Sequence, residues 1–204
     1  MARSWLKANL WYVFLACLIT VICQPIYYLW QPLFINIIGR SLHINEYHIN
    51  TVSLFLSFTF ILYNLSIYAA NKFLRKKLSL YRVEYIVFFS GVIGMIALGG
   101  LGMLSTTIIF SALFLCAAYA SLSILGTSCF NAMITFVAKD KCATILSIAN
   151  MSGRLFSSAF LFLLSFFLEG RNSINTPFLL ASFLTILFLV MFYFSRKSLT
   201  TIKG

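Results

Sequence analysis

The stretch KDKCATILSIANMSGRLFSSAFLFLLSFFLEG (Lys139–Gly170) opens on two lysines and an aspartate and closes on a glutamate. Between those ends it carries one charge, Arg154. A helix over 143–168 would rise about 39 Å at 1.5 Å per residue, enough to cross a hydrocarbon core of about 30 Å. In lipid the backbone has no water to bond, so a segment of this kind is helical when it crosses. Arg154 then lies about 12 residues, or roughly 18 Å, into the helix, near mid-membrane. An ionised side chain at that depth is costly unless it faces a cavity or a partner.

The rest of the chain has the same character. Of its 204 residues 61% are hydrophobic and 9% charged, and the mean hydropathy is +0.97. Soluble domains carry about 25% charged residues, and this chain has too few to cover a water-exposed surface. Its formal net charge of +11 does not point to nucleic acid, because the basic residues sit in short clusters between apolar runs rather than on one solvated face. Cys17, Cys23, Cys116, Cys129 and Cys142 form no CxxC pair and have no companion histidines at metal-ligand spacing. They read as small apolar helix residues, and neither a metal nor a cofactor is expected.

Five further segments qualify as spans, giving one six-helix membrane domain over 1–204 with spans at about 10–34, 51–70, 85–104, 107–129, 143–168 and 178–194. The basic, apolar start MARSWLKANLWYVFLACLIT resembles a secretory signal. However, its apolar run from Leu10 to Phe34 exceeds the 7–15 residues of a signal core, so it is read as the first span. Pro25 and Pro32 within it predict a kink and an irregular outer end. The fourth apolar stretch continues through Phe130 to Val137, with Gly126 as a candidate break.

Lysine and arginine alternate between the two sides of these spans. One side collects Arg3, Lys7, Lys72, Arg75, Lys76, Lys77, Arg82, Lys139, Lys141, Arg196, Lys197 and Lys203, and the other only Arg40 and Arg171. Basic connectors stay in the cytoplasm, so both termini are expected there, in a bacterial inner (plasma) membrane. A reporter fused after Lys203 is expected to give cytoplasmic activity, and periplasmic activity would refute this topology. The longest connector of the opposite side, Gly39 to Asn50, contains His43, Glu46 and His48, read as polar loop residues.

Three stretches resemble the major facilitator superfamily of transporters. Lys139–Gly170 is similar to the junction of that family's tenth and eleventh helices, where a basic turn leads into R-A-T-x-L-S-x-x-x-x-x-G-R-L. Here Cys142, Ala143, Thr144, Leu146, Ser147, Gly153, Arg154 and Leu155 fill those places, with cysteine for the first arginine. QPIYYLWQPLFINIIG (Gln24–Gly39) resembles the family's seventh helix. NKFLRKK (Asn71–Lys77) resembles a degraded copy of its G-x-x-x-D-R-x-G-R-R loop, with Asn71 for the acid and Leu74 for a glycine. The resemblance covers essentially the whole chain and half of the family's twelve-helix architecture, its carboxyl-terminal half. It implies an all-α integral membrane fold of six transmembrane helices, built as two inverted three-helix repeats. It also implies that Asn71, Lys72, Arg75 and Lys76 belong to a cytoplasmic gating loop.

Ser147, Asn150, Arg154 and Ser158 recur at three- and four-residue spacing and share one helix face. Gln24, Tyr28 and Gln31 share a face of the first span, flanked by Tyr27 and Trp30, with an aromatic belt at the headgroups as the alternative. Ser53, Ser57, Asn64 and Tyr68 form a third stripe. Arg154, Asn150, Ser147, Gln24, Tyr28, Gln31 and Asn64 are therefore the substrate-cavity candidates. Gly91, Gly94, Gly99, Gly100 and Gly102 predict close helix packing. There is no intramembrane histidine or acidic pair and no Gly-x-Ser-x-Gly segment, so an enzyme is not expected.

The expected function is secondary transport of a small solute, of efflux type, by a half-transporter. Its partners would be the lipid bilayer, the solute, and either an amino-terminal transporter half or a second copy of the chain, with no nucleic acid. The competing expectations are a truncated transporter without activity of its own, or a small membrane protein that dimerises with or regulates another carrier.

Overall fold

The structure is a computed structural model that describes residues 2–42, 49–77, 83–104, 107–136, 142–169 and 174–200. Those residues form six helices: α1 (Ala2–Leu42), α2 (Ile49–Lys77), α3 (Val83–Met103), α4 (Ile108–Phe136), α5 (Cys142–Glu169) and α6 (Thr176–Thr200). All six contain a segment long and apolar enough to cross a membrane, so the chain is an all-helical, multi-pass membrane domain. The apolar stretches of these helices are Val13–Gly39, Val52–Leu74, Val83–Met103, Ile108–Asn131, Ala143–Ser165 and Thr176–Phe194, and α2 runs on past its stretch to Lys77. The irregular outer end of the first span and the break at Gly126 are not found. α1 stays helical through Pro25 and Pro32 to Leu42, because in lipid a freed carbonyl is cheaper to re-satisfy locally than a whole turn is to unwind. Similarly, α4 passes Gly126 without a break, since a helical glycine leaves the hydrogen-bond ladder intact.

The residue contacts fix both neighbours and directions. Cys17 and Gly153 reach Ala149 and Thr20 in the same order, so α1 and α5 run parallel. Ser66 and Asn71 of α2 bond Cys116 and Ser123 of α4, again in parallel. Gly91, Gly99 and Gly102 of α3 meet Leu189, Ser182 and Leu179 of α6 in descending order, as an antiparallel pair. α1 and α4 are antiparallel too, with Ile26 against Tyr119 and Ile19 against Gly126.

The result is a row of four helices in the order α2, α4, α1, α5, with α3 and α6 packed on each other behind its middle. α1 touches α4, α5 and α6, and α4 touches α1, α2 and α3. Exchanging the first three helices for the last three therefore reproduces the main packing pattern with every direction reversed. The row's outer members are the least covered: 11% of the span window of α2 and 17% of that of α5 is buried, against 50% for α1.

Small residues set the close contacts. A side-chain carbon added at Gly102 would stand 2.6 Å from Leu179 Cγ and 3.2 Å from the Leu179 backbone nitrogen, and that backbone atom has no rotamer with which to retreat. Gly153 plays the same part against Thr20, where the Oγ1 would be 2.9 Å away. Ser182 donates to the Met95 carbonyl at 2.9 Å, adding a hydrogen bond between α6 and α3. In lipid such packing and bonding substitute for the hydrophobic drive that joins helices in water.

Candidate functional site at mid-span

α5 has three distinct flanks. Ala149, Gly153, Ser157 and Leu164 are buried, and the first two meet α1 directly. Ser147, Asn150, Arg154 and Ser158 are all exposed and fall within about 80° of the circumference. The opposite flank is apolar, with Ile148, Leu155, Phe156 and Leu163 exposed. Ser158 satisfies its own hydroxyl by donating to the Arg154 carbonyl at 3.0 Å. Arg154 stands at the middle of the span Ala143–Ser165. Among the described residues no carboxylate forms an ion pair with it.

The same three-part division recurs on α2, its counterpart when the first three helices are exchanged for the last three. Thr59, Tyr63 and Leu74 are buried, Ser53, Ser57, Asn64 and Tyr68 are exposed along one stripe, and Leu54, Phe58, Ile61 and Leu65 are exposed along another. Asn64 turns its amide back onto the Phe60 carbonyl at 2.8 Å, so its second group remains to meet another molecule.

The stripe expected on α1 divides. Tyr28 and Gln31 are exposed, together with Tyr27, Pro32 and Ile35. Because α4, α5 and α6 take up the other sides of α1, this face is the open front of the row. Gln24, on the same side of the helix, is buried and donates to the Thr20 carbonyl at 3.3 Å. Trp30 is 4% exposed and stands edge-on to Phe34 and Tyr63, so it is a core residue and not part of a headgroup belt.

Two tyrosines missed in the sequence, Tyr63 and Tyr119, join Tyr27 in organising this front. Tyr63 of α2 and Tyr119 of α4 stack with ring centroids 4.1 Å apart and 8° between planes. Tyr27 of α1 leans on Tyr119 at 5.8 Å, and the Tyr119 hydroxyl donates to the Ile26 carbonyl at 3.3 Å. Their signal was depth, since Tyr63 and Tyr119 lie at the centres of Val52–Leu74 and Ile108–Asn131, far from the interfaces where tyrosine is ordinarily favoured. Tyr27, Tyr63, Asn64 and Tyr119 thus gather near one depth on three helices of the row, while Arg154, next to Gly153 where it meets Thr20, lies about six residues along α1 from Tyr27.

Of the residues expected in a gating loop, Asn71 lies within α2 and ties it to α4 by donating to the Ser123 hydroxyl at 3.1 Å. Lys72 is exposed, with its ammonium 5.9 Å from the centre of the Tyr68 ring. Arg75 and Lys76 belong to the last turn of α2, and their side chains lie outside the described residues, as do His43, Glu46, His48 and Arg171. No group of three or more His, Cys, Asp or Glu among the described residues is placed to hold a metal ion.

Fold and site together define a multi-pass helical membrane domain with a polar and aromatic mid-span belt. Comparison with protein-family models, curated proteins and solved structures finds no match to the chain.

Proposed function

We propose that this chain is one six-helix half of a secondary transporter of the major facilitator type, its row α2–α4–α1–α5 forming one wall of a central solute cavity. The mid-span belt carries this proposal. Hydroxyls, amides and aromatic rings gather on three helices near the depth where exposure to lipid costs most, and the fourth carries one arginine within its span. Secondary transporters place their solute sites near the bilayer midplane, at the interface of repeats. The packing that maps onto itself with reversed directions is the arrangement inverted repeats produce.

In this proposal the polar flanks of α5 and α2 and the front of α1 face the cavity, and the apolar flanks face lipid. Arg154, with Asn150 one turn away and Ser147 two turns away on the same flank, supplies a fixed positive charge with amide and hydroxyl groups along the same flank, suited to a solute with an acidic or strongly polar group. Tyr27, Tyr28 and Gln31 form the opposite part of the same wall. Movement is efflux, from a bacterial inner membrane with both termini cytoplasmic. The uncovered polar stripes are closed by an amino-terminal half or by a second copy of the chain, which also makes the wall competent to rock.

The test is transport of a panel of acidic and zwitterionic solutes into and out of vesicles containing the inserted chain, against empty vesicles. Transport above the empty-vesicle control is expected, with the chain eluting as a dimer. A correctly inserted chain that moves none of the panel, alone or with a co-expressed partner half, overturns the proposal.

A further inference from the structure

α2 and α3 are consecutive, yet both lean on α4 rather than on each other. The cleft left between them is a groove of about 710 Å³ with α4 as its floor. Phe73 and Leu74 form one lip, Tyr85, Phe89 and Ile93 the other, and Ala120 belongs to the floor. Tyr85, Phe89 and Ile93 follow at four-residue intervals, so the lip of α3 runs about 12 Å along the helix. That is close to the depth of one leaflet, half of a hydrocarbon core of about 30 Å. The groove starts near the first turn of α3 and ends near the middle of the span.

Its walls offer nothing to a polar ligand. The two hydroxyls that line it, Ser90 and Ser121, are satisfied within their own helices by the Val87 and Ala118 carbonyls at 3.2 and 3.0 Å. One end of the groove is different, because α2 closes on Lys72, Arg75, Lys76 and Lys77. Lys76 and Lys77 follow Phe73 by three and four residues, one helical turn further toward the end of α2. The acid at this end is Glu84, in the first turn of α3, and the basic residues outnumber it.

We propose that this groove holds one acyl chain of an anionic phospholipid, with the phosphate at the basic end of α2. An apolar channel one leaflet deep matches a lipid tail, and basic residues at the membrane surface attract anionic headgroups with a free energy that accumulates residue by residue. The occupant is a bilayer lipid rather than a transported solute. The groove lies between α2 and α3, away from the Tyr27–Tyr63–Tyr119 cluster, and its charge is confined to one end.

The experiment is native mass spectrometry of the full chain in detergent, titrated with phosphatidylglycerol and phosphatidylcholine of identical tails. Wild type is expected to bind phosphatidylglycerol roughly tenfold more readily. The Lys76→Gln/Lys77→Gln variant should cut that preference to about twofold or less, whereas Arg196→Gln/Lys197→Gln should leave it unchanged. Ala120→Phe, which fills the floor, should remove the bound lipid of both kinds. Equal binding of the two lipids by wild type, or a preference that survives the lysine substitutions, overturns the proposal. So does undiminished binding by a folded Ala120→Phe chain. The lysine variant alters only the end of one helix, and it decides the matter should Ala120→Phe fail to fold.

Discussion

Arg154→Ala is expected to lower transport by the assembled carrier by about 10- to 100-fold, the loss that follows when a charged group forfeits hydrogen bonds worth about 1.5–3 kcal/mol. The direction follows from position. Arg154 sits at the centre of its span, is exposed from the six-helix unit, and shares its flank with Ser147, Asn150 and Ser158 rather than with the leucines and phenylalanines opposite. Arg154→Lys should restore only part of the activity, because an ammonium keeps the charge but not the planar fork that grips a carboxylate or phosphate with two parallel bonds. Arg171→Ala, in the connector after α5, serves as the control and should cost twofold or less. The measurement is initial transport rate in vesicles at matched protein content. Equal, mild losses for Arg154→Ala and Arg171→Ala would reduce Arg154 to a structural residue.

Trp30→Ala should destabilise the fold more than any substitution on the front of the row. The indole is almost fully buried where α1 meets α2, with its ring 5.5 Å from Tyr63 and 6.1 Å from Phe34. Truncating a buried aromatic in a water-soluble core costs about 3–5 kcal/mol. In lipid the transfer part of that cost is small, but the lost packing and ring contacts remain, so a loss of about 2 kcal/mol or more is expected. α2 is held to the row chiefly by α4 and touches α1 only lightly elsewhere, so the damage should appear as α2 loosening from α1 while it stays on α4. Trp30→Phe keeps an edge-on ring and should cost less than about 1.5 kcal/mol. Unfolding in mixed micelles, followed by near-ultraviolet circular dichroism, separates the two. Equal stability of Trp30→Ala and wild type would mean the cluster does not hold α2.

The apolar, one-leaflet groove and the polar mid-span belt have a common origin in the way the six helices share contacts. α1 and α4 hold the centre of the row, so α2 and α5 are left at its ends with most of their circumference uncovered. Such helices must present a different chemistry to each surrounding. That is why α2 and α5 carry polar stripes beside apolar ones, while α3, packed among α4 and α6, carries glycines.

By itself, the sequence determined that the chain is a six-helix membrane domain, where its spans lie, and that the faces of α2 and α5 are divided. These follow from forces that act locally. A backbone in lipid must bond to itself, so each apolar run becomes a helix whatever its neighbours are, and an arginine or asparagine among leucines marks its own face. Tertiary structure alone decided the order α2, α4, α1, α5, the burial of Trp30 and Gln24, and the meeting of Tyr27, Tyr63 and Tyr119. α1, α3 and α4 are apolar around most of their circumference in the membrane, so no periodicity in them says which side meets which helix. With lipid on one side and leucine on the other, burial brings little gain to steer the choice. The choice falls instead to shape, such as the room Gly102 and Gly153 leave for Leu179 and Thr20, and to single hydrogen bonds such as Tyr119 to Ile26. Those contacts join residues far apart in the chain, and they exist only once the helices have assembled.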